Sequence, residues 1–327
     1  MCGHCGCGAK AGATVLNLQT GDKTTLVRSG SDEDAHDHFH VHADGVAHAH
    51  SHDHHHADSH SHSHEGGHDH HHDHDHHHHG HDHGGHDHAH DHRHVHHQGA
   101  RGTSTVVDLE ARILAKNEAL AAQNRAWFAG REILALNLVS SPGAGKTTLL
   151  ERTIRDLHHE ANLFVIEGDQ ATANDGERIR RAGAPAVQVN TGTGCHLEAD
   201  MIARGLSELR PSVGSIVMIE NVGNLVCPAM FDLGEHARIV VLSVTEGEDK
   251  PIKYPHMFRS ADLMILNKVD LLPHLDFDVD RALSYARQVN PTIEVVQLSA
   301  RSGEGLEDWY GWIRRQGELL KETMFAS

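Results

Sequence analysis

The chain has 327 residues, with 28 Lys and Arg against 46 Asp and Glu, a formal net charge of −18 and 38 histidines. A surface so poor in cations excludes the grip on phosphate backbones that nucleic-acid binding needs. No apolar run reaches the roughly 18 residues of a membrane span, and no basic-then-apolar leader marks secretion. A cytoplasmic chain is expected, in which Cys2, Cys5, Cys7, Cys195 and Cys227 stay reduced and metal binding takes precedence over disulfide pairing.

Residues 1–8 read MCGHCGCG. The C-x-x-C-x-C spacing of Cys2, Cys5 and Cys7 puts three thiolates within reach of one ion. Nitrogen from His4, the backbone or the N-terminal amine can complete a planar site suited to Ni²⁺, and Zn²⁺ fits the same ligands. Residues 9–35 read as a polar linker with one candidate strand around Val15 to Leu18. Residues 36–97 then hold 31 of the 38 histidines, with ten Asp and one Glu against one Arg. Their only large apolar side chains are Phe39, Val41, Val46 and Val95, too little surface to offset the entropy of ordering the segment, so it is expected to be disordered. Alternating His and Asp offers overlapping imidazole sites for several cations, a composition suited to metal storage.

Thr103 to Ala129 carries Leu109, Ile113, Leu120 and Trp127 at helical spacing, which predicts an amphipathic helix ended by Gly130. Seven apolar runs follow: Ile133 to Val139, Leu163 to Ile166, Ala186 to Val189, Ile216 to Ile219, Ile239 to Val244, Leu263 to Leu266 and Ile293 to Leu298. Helical stretches such as His196 to Leu209 and Gly305 to Leu320 separate them. Strands this uniformly apolar predict a mostly parallel sheet covered on both faces, an α/β domain spanning residues 103–327.

The first run leads into SSPGAGKTT, Ser140 to Thr148, and then a helix. This is the context of a phosphate-binding loop, although Ser140 stands where the general pattern has Gly. Pro142, Gly143, Ala144, Gly145, Lys146, Thr147 and Thr148 are its candidate nucleotide contacts: backbone N–H groups around the phosphates, the Lys146 charge on the outer ones and the Thr147 hydroxyl on Mg²⁺. LMILNKVD puts Asn267, Lys268 and Asp270 at another strand end. The Asp270 carboxylate can accept the two adjacent N–H donors on the edge of guanine, which adenine lacks, and Asn267 can complete the bonding while the Lys268 stem covers the ring. Ser299 and Ala300 form a small-residue loop suited to the same base. Asp169 and Glu220 end two more strands and are candidates to orient Mg²⁺. With Lys146 and Asp175, the latter expected in a mobile loop after Asp169, they make the candidate catalytic set. TGTGCHLEAD puts Cys195 and His196 at a helix start, and NLVCPA puts Cys227 seven residues after Glu220, so two loops can supply ligands to one metal if they meet.

Together CGHCGC, SPGAGKTT, VIEGDQ, TGTGCH, IENVGNLVCPA and NKVD with its following LSA resemble the hydrogenase nickel-incorporation GTPase family, HypB. The resemblance implies a GTPase of the signal-recognition and nickel-chaperone class that forms a homodimer with GTP. It further implies metal held near the dimer interface by Cys195, His196 and Cys227, and work with other maturation proteins to load nickel into the large subunit of [NiFe]-hydrogenase. Hydrolysis is expected to be slow, since no arginine finger can be assigned. Two other readings fit part of the chain: a nickel store with an incidental nucleotide site, and a urease-type accessory GTPase, against which the N-terminal cysteines and Cys195-His196 argue.

Overall fold

The computed structural model describes residues 13–25, 37–41, 47–51, 106–169, 174–192 and 194–325, which belong to two units: residues 28–103, and the rest of the chain. The larger unit begins with β1 (Thr14–Asn17) and β2 (Lys23–Thr25). In the smaller unit β3 (Asp37–Val41) pairs antiparallel with β4 (Ala47–Ser51), with Phe39 opposite Ala49. This short hairpin lies at the start of the His-rich tract. DHFHV and AHAHS both alternate with period two, and a lone two-stranded ladder is marginal in water. The rest of the His-rich tract, and Cys2, Cys5 and Cys7, lie outside the described residues.

The larger unit continues with α1 (Val106–Ala129), β5 (Leu134–Ser140), α2 (Lys146–Leu157), β6 (Leu163–Asp169), α3 (Asn174–Ala182), β7 (Ala186–Asn190), α4 (Ala199–Leu209) and β8 (Ile216–Glu220). A 3-10 turn at Cys227–Met230 precedes β9 (Ala237–Ser243), α5 (Lys250–Lys253), α6 (Pro255–Arg259) and β10 (Leu263–Asn267). A second such turn, Val269–His274, leads to α7 (Val279–Val289), β11 (Glu294–Leu298) and α8 (Leu306–Phe325). All seven expected strands are present, in the order β11-β10-β9-β5-β8-β6-β7-β1-β2, parallel from β11 to β7.

Helices cover both faces, which is why the inner strands lack an alternating pattern. From β5, Leu136 and Leu138 join Leu149, Leu150 and Trp309 on one side, while Ala135 joins Phe128, Ile202 and Leu206 on the other. Among the described residues, no helix is long and apolar enough to cross a membrane.

Two expectations need correction. Residues 14–25 do not belong to a linker: β1 runs antiparallel to β7, with Val15 opposite Val189, and Val15 is buried with Val187 and Val189. Only four residues of β1 carry the pattern, too few for periodicity to report a sheet edge. In α1 the buried face is Asn117, Ala121, Asn124 and Phe128, whereas Ile113 is 43 % exposed. The helix turns two asparagines inward, against the polarity on which the sequence pattern relies.

Candidate functional site

The phosphate-binding loop spans the turn between β5 and α2, where Gly143 and Gly145 hold φ of 75° and 103°. At Gly145 a side chain is barred twice over, because a Cβ would also lie 2.5 Å from Asn267 Nδ2. Lys146 is buried and donates through Nζ to Ser140 Oγ at 2.7 Å. The residue that departs from the Gly-first pattern is thus the one that holds the lysine. Burial pushes the Lys146 pKa below the usual ammonium range, opposed by the charge of Glu220.

Thr147 Oγ1 donates to Glu220 Oε1 at 2.7 Å, joining the start of α2 to the end of β8. Burial raises the Glu220 carboxyl above its ordinary range, with Lys146 and the Thr147 hydroxyl pulling the other way. Three residues on, Gly223 lies so close to the loop that a Cβ there would stand 3.1 Å from Pro142 Cα. Asp169 ends β6, as expected for a strand terminus. Asp175 is not in a loop: it occupies the first turn of α3, where its carboxylate stabilises the helix N-terminus and accepts from Arg178 Nη1 at 2.9 Å. Arg178 Nη2 also donates to Glu151 at 2.8 Å and to Thr148 Oγ1 at 3.2 Å. The sequence reading missed this arginine beside the phosphate loop. Its three-residue spacing from Asp175 on one helix was the available signal.

At the other end of the loop, Asn267 acts as a tie. Its Nδ2 donates to Ala144 O at 2.9 Å, and its Oδ1 accepts from Lys268 N at 2.8 Å and Ala300 N at 3.2 Å. Two N–H bonds fill the capacity of that oxygen, so Asn267 fastens the phosphate loop and the Ser299-Ala300 loop to β10 instead of offering its carbonyl to a base. Lys268 takes a left-handed φ of 65° and donates through Nζ to Gly143 O at 2.8 Å. Asp270 Oδ1 is shut from solvent without a hydrogen-bond partner among the described residues. A buried orphan acceptor costs free energy unless a donor arrives, and the paired N–H groups of guanine have the required chemistry.

The two cysteine-bearing loops meet. One ligand atom from each of Cys195, His196 and Cys227 lies within 4.8 Å of the others, with no disulfide between the cysteines. Cys195 Sγ is 2.7 Å from Cys227 Sγ and 3.7 Å from His196 Nδ1. His196 stacks on Phe231 with ring centroids 3.8 Å apart, and Glu198 Oε1 stands 3.8 Å from its Nε2, which has no hydrogen-bond partner among the described residues. Burial lowers the His196 pKa to about 4, so the ring is neutral at physiological pH and keeps the lone pair a metal needs. Cys195 and His196 precede α4, which starts at Ala199, and do not form part of it. Arg238 from β9 braces the Cys227 loop, donating to Ala229 O at 3.3 Å and Phe231 O at 3.1 Å while paired with buried Glu235 at 2.7 Å. Two thiols and an imidazole suit Ni²⁺ or Zn²⁺ and disfavour Mg²⁺ or Ca²⁺.

A parallel sheet, the SSPGAGKTT turn running into α2 and the NKVD segment at the end of β10 define a P-loop nucleotide-binding protein. The family model "CobW/HypB/UreG, nucleotide-binding domain" matches residues 134–297. The hydrogenase maturation factor HypB of Azotobacter chroococcum mcd 1 is 58 % identical over 224 residues, covering 68 % of this chain and 73 % of that protein. The chain belongs to the HypB family of hydrogenase maturation factors. Among solved structures, HypB of Archaeoglobus fulgidus aligns with a TM-score of 0.59 at 39 % identity, over 62 % of this chain and 99 % of that one. HypB from Helicobacter pylori in complex with nickel gives 0.59 at 37 %, over 62 % and 95 %.

Proposed function

We propose that this chain is a GTP-hydrolysing nickel metallochaperone of the cytoplasm that binds nickel and delivers it for maturation of [NiFe]-hydrogenase. The observation that carries the reading is the Thr147–Glu220 hydrogen bond, because the segment it anchors runs on to Cys227. The backbone from Pro142 to Thr148 wraps the phosphates, Lys146 neutralises the outer ones, and Asp270 selects guanine, with Lys268, Ser299 and Ala300 beside the base. Thr147, Asp169 and Glu220 would hold Mg²⁺, which would supply charge neutralisation on the triphosphate. Asp175 acts at one remove, by holding Arg178 against Thr148.

Nickel is the cargo. It enters through the N-terminal Cys2, Cys5 and Cys7 and the His-rich tract, and is held at Cys195, His196 and Cys227, where Zn²⁺ competes for the same donors. GTP gathers two copies into a homodimer, and hydrolysis, slow without a partner, resets it. Other hydrogenase maturation proteins and the hydrogenase large subunit receive the metal. Contact of the Glu220–Gly223 segment with the triphosphate shifts Cys227 and changes nickel affinity.

Replacing Lys146→Ala tests the reading. GTP turnover and nickel delivery are expected to vanish while nickel binding by the N-terminal cysteines persists; delivery retained without turnover would count against it. Deleting residues 36–97 separates this role from storage. A store fails even in ample nickel, whereas a chaperone shows a deficit mainly when nickel is scarce.

A further inference from the structure

The strand end at Glu220 and the loop carrying Cys195 and His196 are joined by one buried side chain. Asn221 Oδ1 accepts the backbone N–H of Leu197 at 3.3 Å and of Val222 at 3.0 Å, and its Nδ2 donates to Asn137 Oδ1 at 3.3 Å. Asn137, inside β5, donates in turn to Glu235 Oε1 at 3.0 Å, and Glu235 Oε2 accepts the N–H of Leu233 at 2.8 Å. From α1, Asn124 Nδ2 donates to both Leu233 O at 3.0 Å and Ala199 O at 2.8 Å. Asn117 accepts the N–H of Ala199 at 2.8 Å and donates to Asp232 O at 2.7 Å.

This circuit closes on both metal-bearing segments. Leu197 directly follows His196, and Asp232 directly follows Phe231, whose ring lies on the His196 imidazole. All four asparagines are buried, Asn137 and Asn221 to within 1 % of full enclosure. Filling a core does not call for amides, since apolar side chains of similar size need no partners. Amides with both ends engaged, as in Asn117, Asn137 and Asn221, impose direction instead. Moving one bonded group breaks geometry at the next, and in a low-dielectric interior each loss is expensive.

We propose that Asn221 is the positioning residue that carries the nucleotide state from Glu220 to His196. It sits next to Glu220 in the chain and holds the N–H next to His196. Displacement of the strand end by a metal-bound triphosphate therefore pulls on Leu197 and re-aims the imidazole relative to Cys195 and Cys227. The proposal rests on the reading that Glu220 faces Mg²⁺-GTP and that the Cys/His/Cys group holds nickel.

The test titrates Ni²⁺ into the full chain carrying Cys2→Ser, Cys5→Ser and Cys7→Ser, so that thiolate-to-nickel absorbance reports on Cys195 and Cys227. Titrations are run with GDP and with a non-hydrolysable GTP analogue, with and without Asn221→Ala. In the Asn221 form, nickel affinities in the two nucleotide states are expected to differ at least about fivefold. Asn221→Ala should bring their ratio to near one while analogue binding survives. A merely structural asparagine would weaken nickel equally in both states, and a ratio preserved in Asn221→Ala overturns the proposal. A ratio of one in the Asn221 form instead removes the nucleotide–metal coupling itself, and the proposal with it. If the variant does not fold, amide exchange at Leu197 in the unsubstituted chain decides. Its protection should differ between the two nucleotide states, and equal protection overturns the proposal.

Discussion

Thr147 and Glu220, 73 positions apart in sequence, share a 2.7 Å hydrogen bond at the point where α2 begins and β8 ends. Glu220 Oε2 is left buried and without a hydrogen-bond partner among the described residues, which is the state expected of a carboxylate awaiting a cation. Because burial raises the Glu220 pKa, its charge costs stability in the nucleotide-free protein, and the cost grows as pH rises through the folded value. Glu220→Gln should therefore leave the thermal midpoint of that form unchanged or higher, while Mg²⁺-dependent GTP hydrolysis falls at least about a hundredfold, the lower end of what removing one transition-state contact costs. A lower midpoint together with undiminished hydrolysis contradicts both assignments.

Asp270→Asn exchanges an acceptor for a donor on the base. Xanthine carries an oxygen where guanine carries an amino group, so the variant should reverse preference from guanosine to xanthosine nucleotides. Competition binding with the two diphosphates measures this, and unaltered guanine preference would remove Asp270 from the base site.

His196 gives the metal-free protein a pH dependence of defined sign. Its folded pKa of about 4 lies below the ordinary value near 6.5, so the unfolded chain takes up a proton that the folded chain refuses. Stability is complete above about 6.5 and declines as pH falls through the window down to about 4, by on the order of 2–4 kcal/mol in all. Urea unfolding of metal-free protein at pH 7 and pH 5 should reveal the drop, and His196→Gln should reduce it. Equal slopes in the two proteins would exclude His196 as the source.

Arg238→Met tests the brace beneath Cys227. It strips buried Glu235 of its cation and frees Ala229 O and Phe231 O. Breaking one side of a buried pair costs about 3–5 kcal/mol. Pairing it with Glu235→Leu should recover part of that loss, as a double-mutant cycle in denaturant would register. Alkylation of Cys227 should quicken in the single variant, and a rate matching that of the unsubstituted chain would mean that the loop holds without Arg238.

The strands and both nucleotide motifs were legible because chain-local chemistry sets them: a strand–turn–helix with small residues, and acids where apolar runs end. The meeting of Cys195, His196 and Cys227 was legible only as a condition, since a spacing of 32 positions says nothing of two loops converging. Asn117, Asn124, Asn137 and Asn221 were illegible as a group. Amides in a sequence read as surface, and only tertiary contact reveals that Asn137 and Asn221 bond each other while Asn117 and Asn124 hold backbone groups at Ala199, Asp232 and Leu233. Asp175 was misplaced for a related reason, because a polar stretch after a strand reads as loop until Arg178 and Asp175 are seen to pair along one helix turn.

The docking of β1 onto β7, with β2 beyond it, alters what the His-rich region is in topological terms. Its chain leaves from Thr25, at the sheet's outer edge, and returns at Val106, so it is a loop closed at both ends by one folded body and not a free tail. A single protease cut within it leaves the N-terminal fragment bonded to β7 along the β1 register, so nicked protein should co-purify as two pieces that part only on denaturation.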